Sequence, residues 1–475
     1  MGTMDRAGVV VVWFRRDLRL NDNPALAEAL KTGLPIVPVY VHDDLLEGRP
    51  IGGAAKWWLD KSLQALDGSL RRKGSRLLLR RGDSAREIGR LVQETGAKAL
   101  FYNRLYEPAA DERDALIRDD LRAAGLRVEA FNGSYLHEPG TALTGQGKPY
   151  SVYTPFAKSL RPGLTGGPSR FAPPTLPAPG SWPDSADLKD WGLHPTRPDW
   201  SEGFDVWTPG EDGACDRLER FLEESLDRYH ELRDVPGVDG TTRLSPHLHW
   251  GEIGPYQVLR AAERAALTGA AGQAAADKLI GELLWRDFNI HLLRFRPDMA
   301  DRAWRPEYEN FPFLRDEKAL RAWQRGQTGF PIVDAGMRQL WATGWMHNRV
   351  RMIAASFLIK DLLLDWREGE RWFWDTLVDA DWANNAASWQ WVAGSGADAA
   401  PYFRVFNPTS QGEKFDPRGD YVRRWVPELA HMPDEFVHRP HEAPPLVLKA
   451  ADVTLGGNYP LPVVEHSEAR LAVRK

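Results

Sequence analysis

Val9-Val-Val-Val-Trp-Phe-Arg-Arg-Asp-Leu-Arg19 is the stretch whose reading decides the fold. Val9 to Phe14 is a β-branched and aromatic run that reads as a strand. Four more such runs follow at Ile36 to Val41, Arg76 to Leu79, Ala99 to Tyr102 and Val128 to Phe131. The segments between them carry helix-period apolar positions, as in Trp58, Leu59, Ser62, Leu63, Leu66 and Leu70. Alternation of strand and helix predicts an α/β unit with a parallel, doubly wound sheet over residues 5–135. The first strand runs into Trp13-Phe-Arg-Arg-Asp-Leu-Arg19 rather than G-x-G-x-x-G, so a dinucleotide site of the Rossmann type is not expected there.

Working outward, thirteen prolines fall between Pro139 and Pro209, among them Pro168, Pro173 and Pro174. That density reads as an irregular interdomain linker over 136–208, wrapped on a surface because a free loop of such length is unusual inside a compact protein. From 209 to 475 the pattern is helical, with Leu218, Phe221, Leu222 and Leu226 on one stripe and Leu279, Leu283, Arg286 and Ile290 on another. This predicts a larger all-α domain.

A chain of 475 residues, 43% apolar and 27% charged, reads as globular and two-domain. Cys215 is the single cysteine, which excludes an internal disulfide and a cysteine-rich metal or iron–sulfur site and points to a reducing, cytoplasmic setting. No leader pattern and no membrane-length apolar run is read. The net charge of -5 does not by itself suggest a nucleic-acid partner. Between Gly281 and Lys360, however, 13 Lys and Arg stand against 9 Asp and Glu. On charge alone an ordinary solvated helical surface explains this as well. Fourteen of the twenty tryptophans lie from Trp207 onward.

Three clusters carry chemistry. Glu282, Trp285 and Arg286 fall at i, i+3 and i+4 of a helix, so a carboxylate, an indole and a guanidinium share a face. An ion pair beside a core tryptophan is the simpler reading. In Trp345-Met-His-Asn-Arg-Val-Arg-Met352, Asn348 packs with Met352 and Arg351 at a helix start, a set suited to a phosphate-bearing ligand with a flat apolar part. In Asp379 to Trp391, Asp381, Asn385 and Trp389 recur at i+4 steps. Polar groups among so many aromatics cost several kcal/mol if unpaired, which favours a heteroaromatic ligand over an internal network.

Trp13 to Arg19, Thr241-Thr-Arg-Leu-Ser-Pro-His-Leu-His-Trp-Gly-Glu252, Gly281-Glu-Leu-Leu-Trp-Arg-Asp287, Trp345 to Met352 and Asn384-Asn-Ala-Ala-Ser-Trp-Gln-Trp391 together resemble motifs of the DNA photolyase/cryptochrome family, in order along nearly the whole chain. The resemblance implies FAD in the helical domain, active as fully reduced FADH-. It implies FAD contacts from Tyr229, Thr241, Thr242, Arg243, Leu244, Ser245, Glu282, Arg286, Asn348, Arg351, Asp379, Ala380, Asp381 and Asn385, with Arg351 paired to Asp379 and Asn385 facing flavin N5. Light then drives an electron to a cyclobutane pyrimidine dimer in UV-damaged DNA, the ring opens and the electron returns. By the same resemblance Glu282 bonds the flipped-out lesion, and Trp285, Asn348, Arg349, Met352 and Trp391 surround it.

Photoreduction in this family uses three tryptophans. Trp389 and Trp366 occupy the first two positions and Phe313 the third, so Trp341 or the Trp372/Trp374 pair is the expected substitute. The Trp57-Trp58 segment is similar to the branch related to plant cryptochromes, which favours methenyltetrahydrofolate over a deazaflavin as antenna. Met352, where a (6-4) enzyme differs, favours cyclobutane dimers. The alternative is a cryptochrome-like blue-light photoreceptor. Plant cryptochromes carry Asp where Asn348 and Asn385 stand. No metal and no membrane partner is expected, and the chain is expected to be a monomer.

Overall fold

β1 (Val10–Phe14) is the middle strand of a five-stranded sheet in which β2 (Ile36–His42), β3 (Leu78–Arg81), β4 (Ala99–Asn103) and β5 (Arg127–Phe131) follow in the order β3-β2-β1-β4-β5. All neighbouring pairs are parallel, with Val12 opposite Pro38 on one side and Phe101 on the other. All five residues of β1 are buried, as a parallel strand covered on both faces must be. The structure, a computed structural model, describes residues 8–45, 48–167, 169–401 and 404–472. Residues 5–7 and 473–475 of the expected domains, and Pro168 of the expected linker, lie outside the described residues. The third strand begins at Leu78 rather than Arg76, because the Leu77 amide donates to Asp67 Oδ1 at 2.8 Å and is lost to the ladder.

The chain divides into two compact units. The first takes in the chain up to Trp200 with Trp207–Leu222 and Thr242–Pro297; the second takes in Ser201–Val206, Glu223–Thr241 and the chain from Asp298 onward. This differs from the division expected at residue 209. Helices Ser245–His249, Pro255–Leu267 and Gln273–Phe295 belong with the sheet. The reason is buried polar pairing across the sequence. Trp58 Nε1 donates to Glu252 at 3.0 Å, Glu252 meets His247 Nδ1 at 2.5 Å, and Arg19 donates to the carbonyls of Gly251 and Gly133 at 2.9 and 2.8 Å. Gly251 has φ +67° and a Cβ there would lie 2.0 Å from the Arg16 carbonyl oxygen, so only glycine lets these two segments touch.

The Trp13 to Arg19 motif is internal structure. Arg15 pairs with Asp114 at 2.8 Å and donates to the Asn103 carbonyl, Arg16 pairs with Glu107, and Asn103 Nδ2 donates to Asp17 at 2.6 Å. These groups fill the carboxyl ends of β1 and β4, where the strand order reverses and open α/β sheets commonly bind ligands.

The proline-rich segment is not wholly irregular. Tyr153–Leu160 is a helix, with Pro155 in the first turn, where no helical amide partner is required, and Phe156 packed on Phe288 and His291. The second unit is helical around a core that includes Trp323, Met337, Phe357, Trp366, Phe373, Trp374 and Trp389. Among the described residues no helix is long and apolar enough to cross a membrane.

Asp287 is fully buried; its Oδ1 accepts the His137 amide at 2.8 Å while Oδ2 meets no hydrogen-bond partner among the described residues. Burial pushes its pKa up to about 7, against the opposing pull of the His137 amide and Arg286. Between roughly pH 4 and pH 7 the unfolded chain releases a proton that the folded chain keeps, so stability falls as pH rises through that window. Asp287→Asn removes this term. Thermal melts at pH 4 and pH 8 should show the variant gaining on the wild type at the higher pH by a few kcal/mol, on the order of 1.4 per pKa unit; a constant difference would refute the assignment.

Candidate functional site

In the second unit, helix Trp382–Ala393 begins at Asp381, whose side chain caps it by accepting the Asn384 amide at 2.9 Å. One turn on, Asn385 is buried and its Nδ2 donates to both the carbonyl and the Oε1 of Glu370, at 3.0 and 2.9 Å. Its nitrogen is thereby committed, and the side chain presents Oδ1 as an acceptor. Glu370 is 2% exposed and belongs to helix Trp366–Thr376.

Arg351 grips Asp379 through two parallel bonds of 3.1 and 2.8 Å and donates from Nε to the Met346 carbonyl at 2.7 Å. Two nitrogens on two oxygens fix both the charge and the plane of the carboxylate. Asp379, Ala380 and Asp381 are all buried. Helix Asn348–Ser356 starts with Asn348 exposed and its amide 4.0 Å from the Met352 sulfur. Arg349 turns elsewhere, pairing with Asp234 at 2.9 Å and lying 4.5 Å over the Phe415 ring. Tyr229 is buried and Thr241 half-buried in the same unit.

Trp389 meets Phe373 and Trp323, with centroids 4.9 and 6.2 Å apart. Trp366 is buried, and the Arg367 guanidinium lies 4.8 Å over its ring. Trp341 stacks on Trp372 at 6.0 Å and is itself 56% exposed. Trp374 is buried and Trp391 packs at the margin of the core.

In the first unit, Thr242 to Ser245 lead into helix Ser245–His249, and Arg243 sits at φ 48°, a left-handed backbone uncommon outside glycine. The Thr242 carbonyl accepts from Arg217 at 2.9 Å. On helix Gln273–Phe295 the three residues of the first cluster take different directions. Glu282 lies 3.7 Å from Lys278. Trp285 is stacked on Tyr153. Arg286 donates to the carbonyls of Ser134 and Leu248, each at 3.2 Å, with its guanidinium 5.3 Å over Tyr135. Convergence of the three groups expected from their spacing is therefore not what the side chains do. The guanidinium bonds two backbone carbonyls instead of the carboxylate one turn away. Trp57 and Trp58 are both buried in the packing of this unit.

Three residues that spacing did not single out matter here: Glu370, Asp234 and Tyr153. Glu370 stands in Trp366-Arg-Glu-Gly-Glu-Arg371, a charged run that reads as solvated surface, and only its burial reveals it.

The residues of the second unit fit a flavin. They offer a buried neutral amide with its oxygen presented, an indole N–H at Trp382 that is buried with no hydrogen-bond partner among the described residues, and a fixed carboxylate at Asp379. The fold and these groups define a class: a parallel α/β unit joined in one chain to a helical unit built for a heteroaromatic cofactor. Residues 10–179 match DNA photolyase and residues 279–475 the FAD binding domain of DNA photolyase. The chain is 50% identical over 462 residues to the deoxyribodipyrimidine photo-lyase of Agrobacterium fabrum, covering 97% of this chain and 96% of that protein. It is 37% identical to Cryptochrome-1 of Arabidopsis thaliana, covering 98% of this chain and 69% of that one. The crystal structure of a bacterial class III photolyase from Agrobacterium tumefaciens superposes with a TM-score of 0.96 at 49% identity, over 100% of this chain and 98% of that chain. The chain belongs to the DNA photolyase family.

Gly369 lies against Trp389: a Cβ there would fall 2.0 Å from a ring carbon of that indole. Gly369→Ala should displace Trp389 and lower stability by about 1–3 kcal/mol through overpacking. Denaturant unfolding followed by tryptophan fluorescence checks this, and an unchanged midpoint would overturn it.

Proposed function

We propose that this chain is a deoxyribodipyrimidine photo-lyase, a carbon–carbon lyase that uses blue light to split cyclobutane pyrimidine dimers in UV-damaged DNA. The observation that carries the reading is 50% identity, over nearly all of both chains, to a protein of that activity. FAD, when bound and fully reduced, would supply the chemistry: a light-driven loan of one electron to the lesion, returned once the cyclobutane ring has opened.

The protein's own residues hold and tune. Glu370 holds the amide nitrogen of Asn385, which leaves Oδ1 as the atom that would accept a hydrogen bond from flavin N5. A carboxylate at that position would repel an anionic reduced flavin. Arg351 neutralises and orients Asp379, which with Ala380 and Asp381 would hold the ribityl chain and ring edge. Tyr229 and Thr241, and in the first unit Thr242, Arg243, Leu244 and Ser245, are assigned to the adenine and phosphate side, with Arg286 and Asn348 toward the diphosphate or flavin. Glu282 is assigned to the damaged base, where a hydrogen bond donated by its carboxyl group, or by a group it bridges to, would stabilise the negative charge the base gains. Trp285, Trp391, Met352 and Asn348 offer the flat and polarisable surfaces for the lesion. Arg349 acts through its pair with Asp234, as a fixed cation rather than a free one.

The antenna is proposed to be methenyltetrahydrofolate rather than a deazaflavin, and the protein to be a cytoplasmic monomer. Identity favours repair over the photoreceptor reading, since the cryptochrome relative stands at 37%.

Purified, reduced protein is expected to remove thymine dimers from an irradiated oligonucleotide under blue light and not in the dark. Glu282→Ala should lower repair per absorbed photon several-fold. No light-dependent loss with reduced FAD bound would overturn the repair reading in favour of a photoreceptor.

For photoreduction, Arg367 over Trp366 disfavours a positive charge on that ring, whereas the stacked Trp341 and Trp372 reach solvent. Phe replacements of Trp341, Trp372 and Trp374 are expected to slow flavin photoreduction in at least the first two. Unaltered rates in all three would exclude this exit.

A further inference from the structure

Tyr153 lies parallel to Trp285, with ring centroids 3.7 Å apart and planes 4° from coplanar. Its hydroxyl donates to the Gly281 carbonyl at 2.8 Å, one helical turn before Trp285, and its ring edge meets Phe288 at 5.9 Å. Three contacts therefore staple helix Tyr153–Leu160 to helix Gln273–Phe295 at the level of Glu282 and Trp285. Phe156, one turn on, continues the seam onto Phe288 and His291, at 5.3 and 5.1 Å.

Trp285 is half-buried, and its described ring contacts are Tyr153 on one face and Phe288 at an edge. Among the described residues the face away from Tyr153 carries no ring partner. An indole that must receive a flat base performs better when its plane is already set, because the binding partner then does not have to order it. The phenol suits the task. Burial, with Glu282 and Asp287 nearby, pushes its pKa up to about 12, so it stays neutral and keeps donating. The surrounding chain suits a polyanion as well: residues 139–183 include no Asp or Glu, while Lys148 and Lys158 are exposed.

We infer that Tyr153 is a positioning residue for damage recognition: by stacking on one face of Trp285 it fixes the indole plane and reserves the opposite face for a base of the pyrimidine dimer. The inference rests on the photolyase reading and adds to it a residue of the proline-rich segment. It acts on selectivity for damaged over undamaged DNA, because only an extruded base reaches the indole, whereas backbone contacts serve both.

The test compares dark binding of a fluorescent oligonucleotide bearing one thymine dimer with binding of the same strand undamaged. Tyr153→Leu, which removes the stack, should weaken binding of the damaged strand about 3- to 10-fold, the worth of one aromatic pair. Binding of the undamaged strand should stay the same. Tyr153→Phe keeps the ring and loses only the bond to Gly281, and should retain wild-type selectivity. Tyr153→Met is measured beside the leucine variant and serves if that variant does not fold. Unchanged selectivity in the variants without the ring, equal losses for both strands, or a loss in Tyr153→Phe as large as in Tyr153→Leu would each overturn the inference. If the wild type itself fails to prefer the damaged strand, the repair reading falls instead.

Discussion

Arg15, Arg16 and Arg19 are almost wholly withdrawn from solvent, and everything in the first unit is arranged so that none of them is unpaired. An isolated charge in such an interior carries a desolvation cost of several kcal/mol, comparable to the net stability of a domain. Asp114, Glu107 and the carbonyls of Asn103, Gly133 and Gly251 supply the partners. They come from β4, the helix after it, the segment beyond β5 and the loop after His249. One run of charged residues after β1 thus dictates which distant segments close around the sheet. It also fills the crevice where an open sheet of this order would otherwise take a ligand.

In the second unit the same rule works in favour of a cofactor. Asp379 is neutralised by Arg351, and Asn385 has its donor end satisfied by Glu370, yet an acceptor is left over. Interior polar groups that are paired on one side and open on the other are poised for a ligand with complementary edges. The tryptophans around them are not interchangeable. Trp389 is pressed on Gly369, Trp366 lies beneath a guanidinium, and Trp341 faces water.

The strands were legible because a parallel sheet covered on both faces requires continuous apolar runs, and Val10 to Phe14 and Ile36 to Val41 can hardly be read otherwise. The step from Asp381 to Asn385 to Trp389 was legible for the same kind of reason, since a helix repeats its face every four residues. Segment membership was not. The bond from Trp58 to Glu252 joins residues 194 positions apart, and no local pattern encodes it. Direction was not legible either: spacing put Arg286 beside Glu282, but a long guanidinium reaches acceptors far along the chain, here the carbonyls of Ser134 and Leu248. Tyr153 was hidden by its prolines, which suggest an irregular chain, although Pro155 sits where a helix tolerates it.

The interleaved make-up of the first unit bears on how the protein is made. A ribosome releases the chain from its amino end, so the five strands emerge long before Glu252 and Gly251, the groups on which Trp58 and Arg19 depend. Until roughly the first 300 residues are free of the exit tunnel, the nascent sheet carries an indole N–H and a guanidinium without their final partners. Such a half-finished intermediate keeps apolar and polar interior groups uncovered, the state in which large proteins are most prone to aggregate and most in need of chaperones. Synthesis halted near residue 209 would leave a fragment with all its strands and no finished interior.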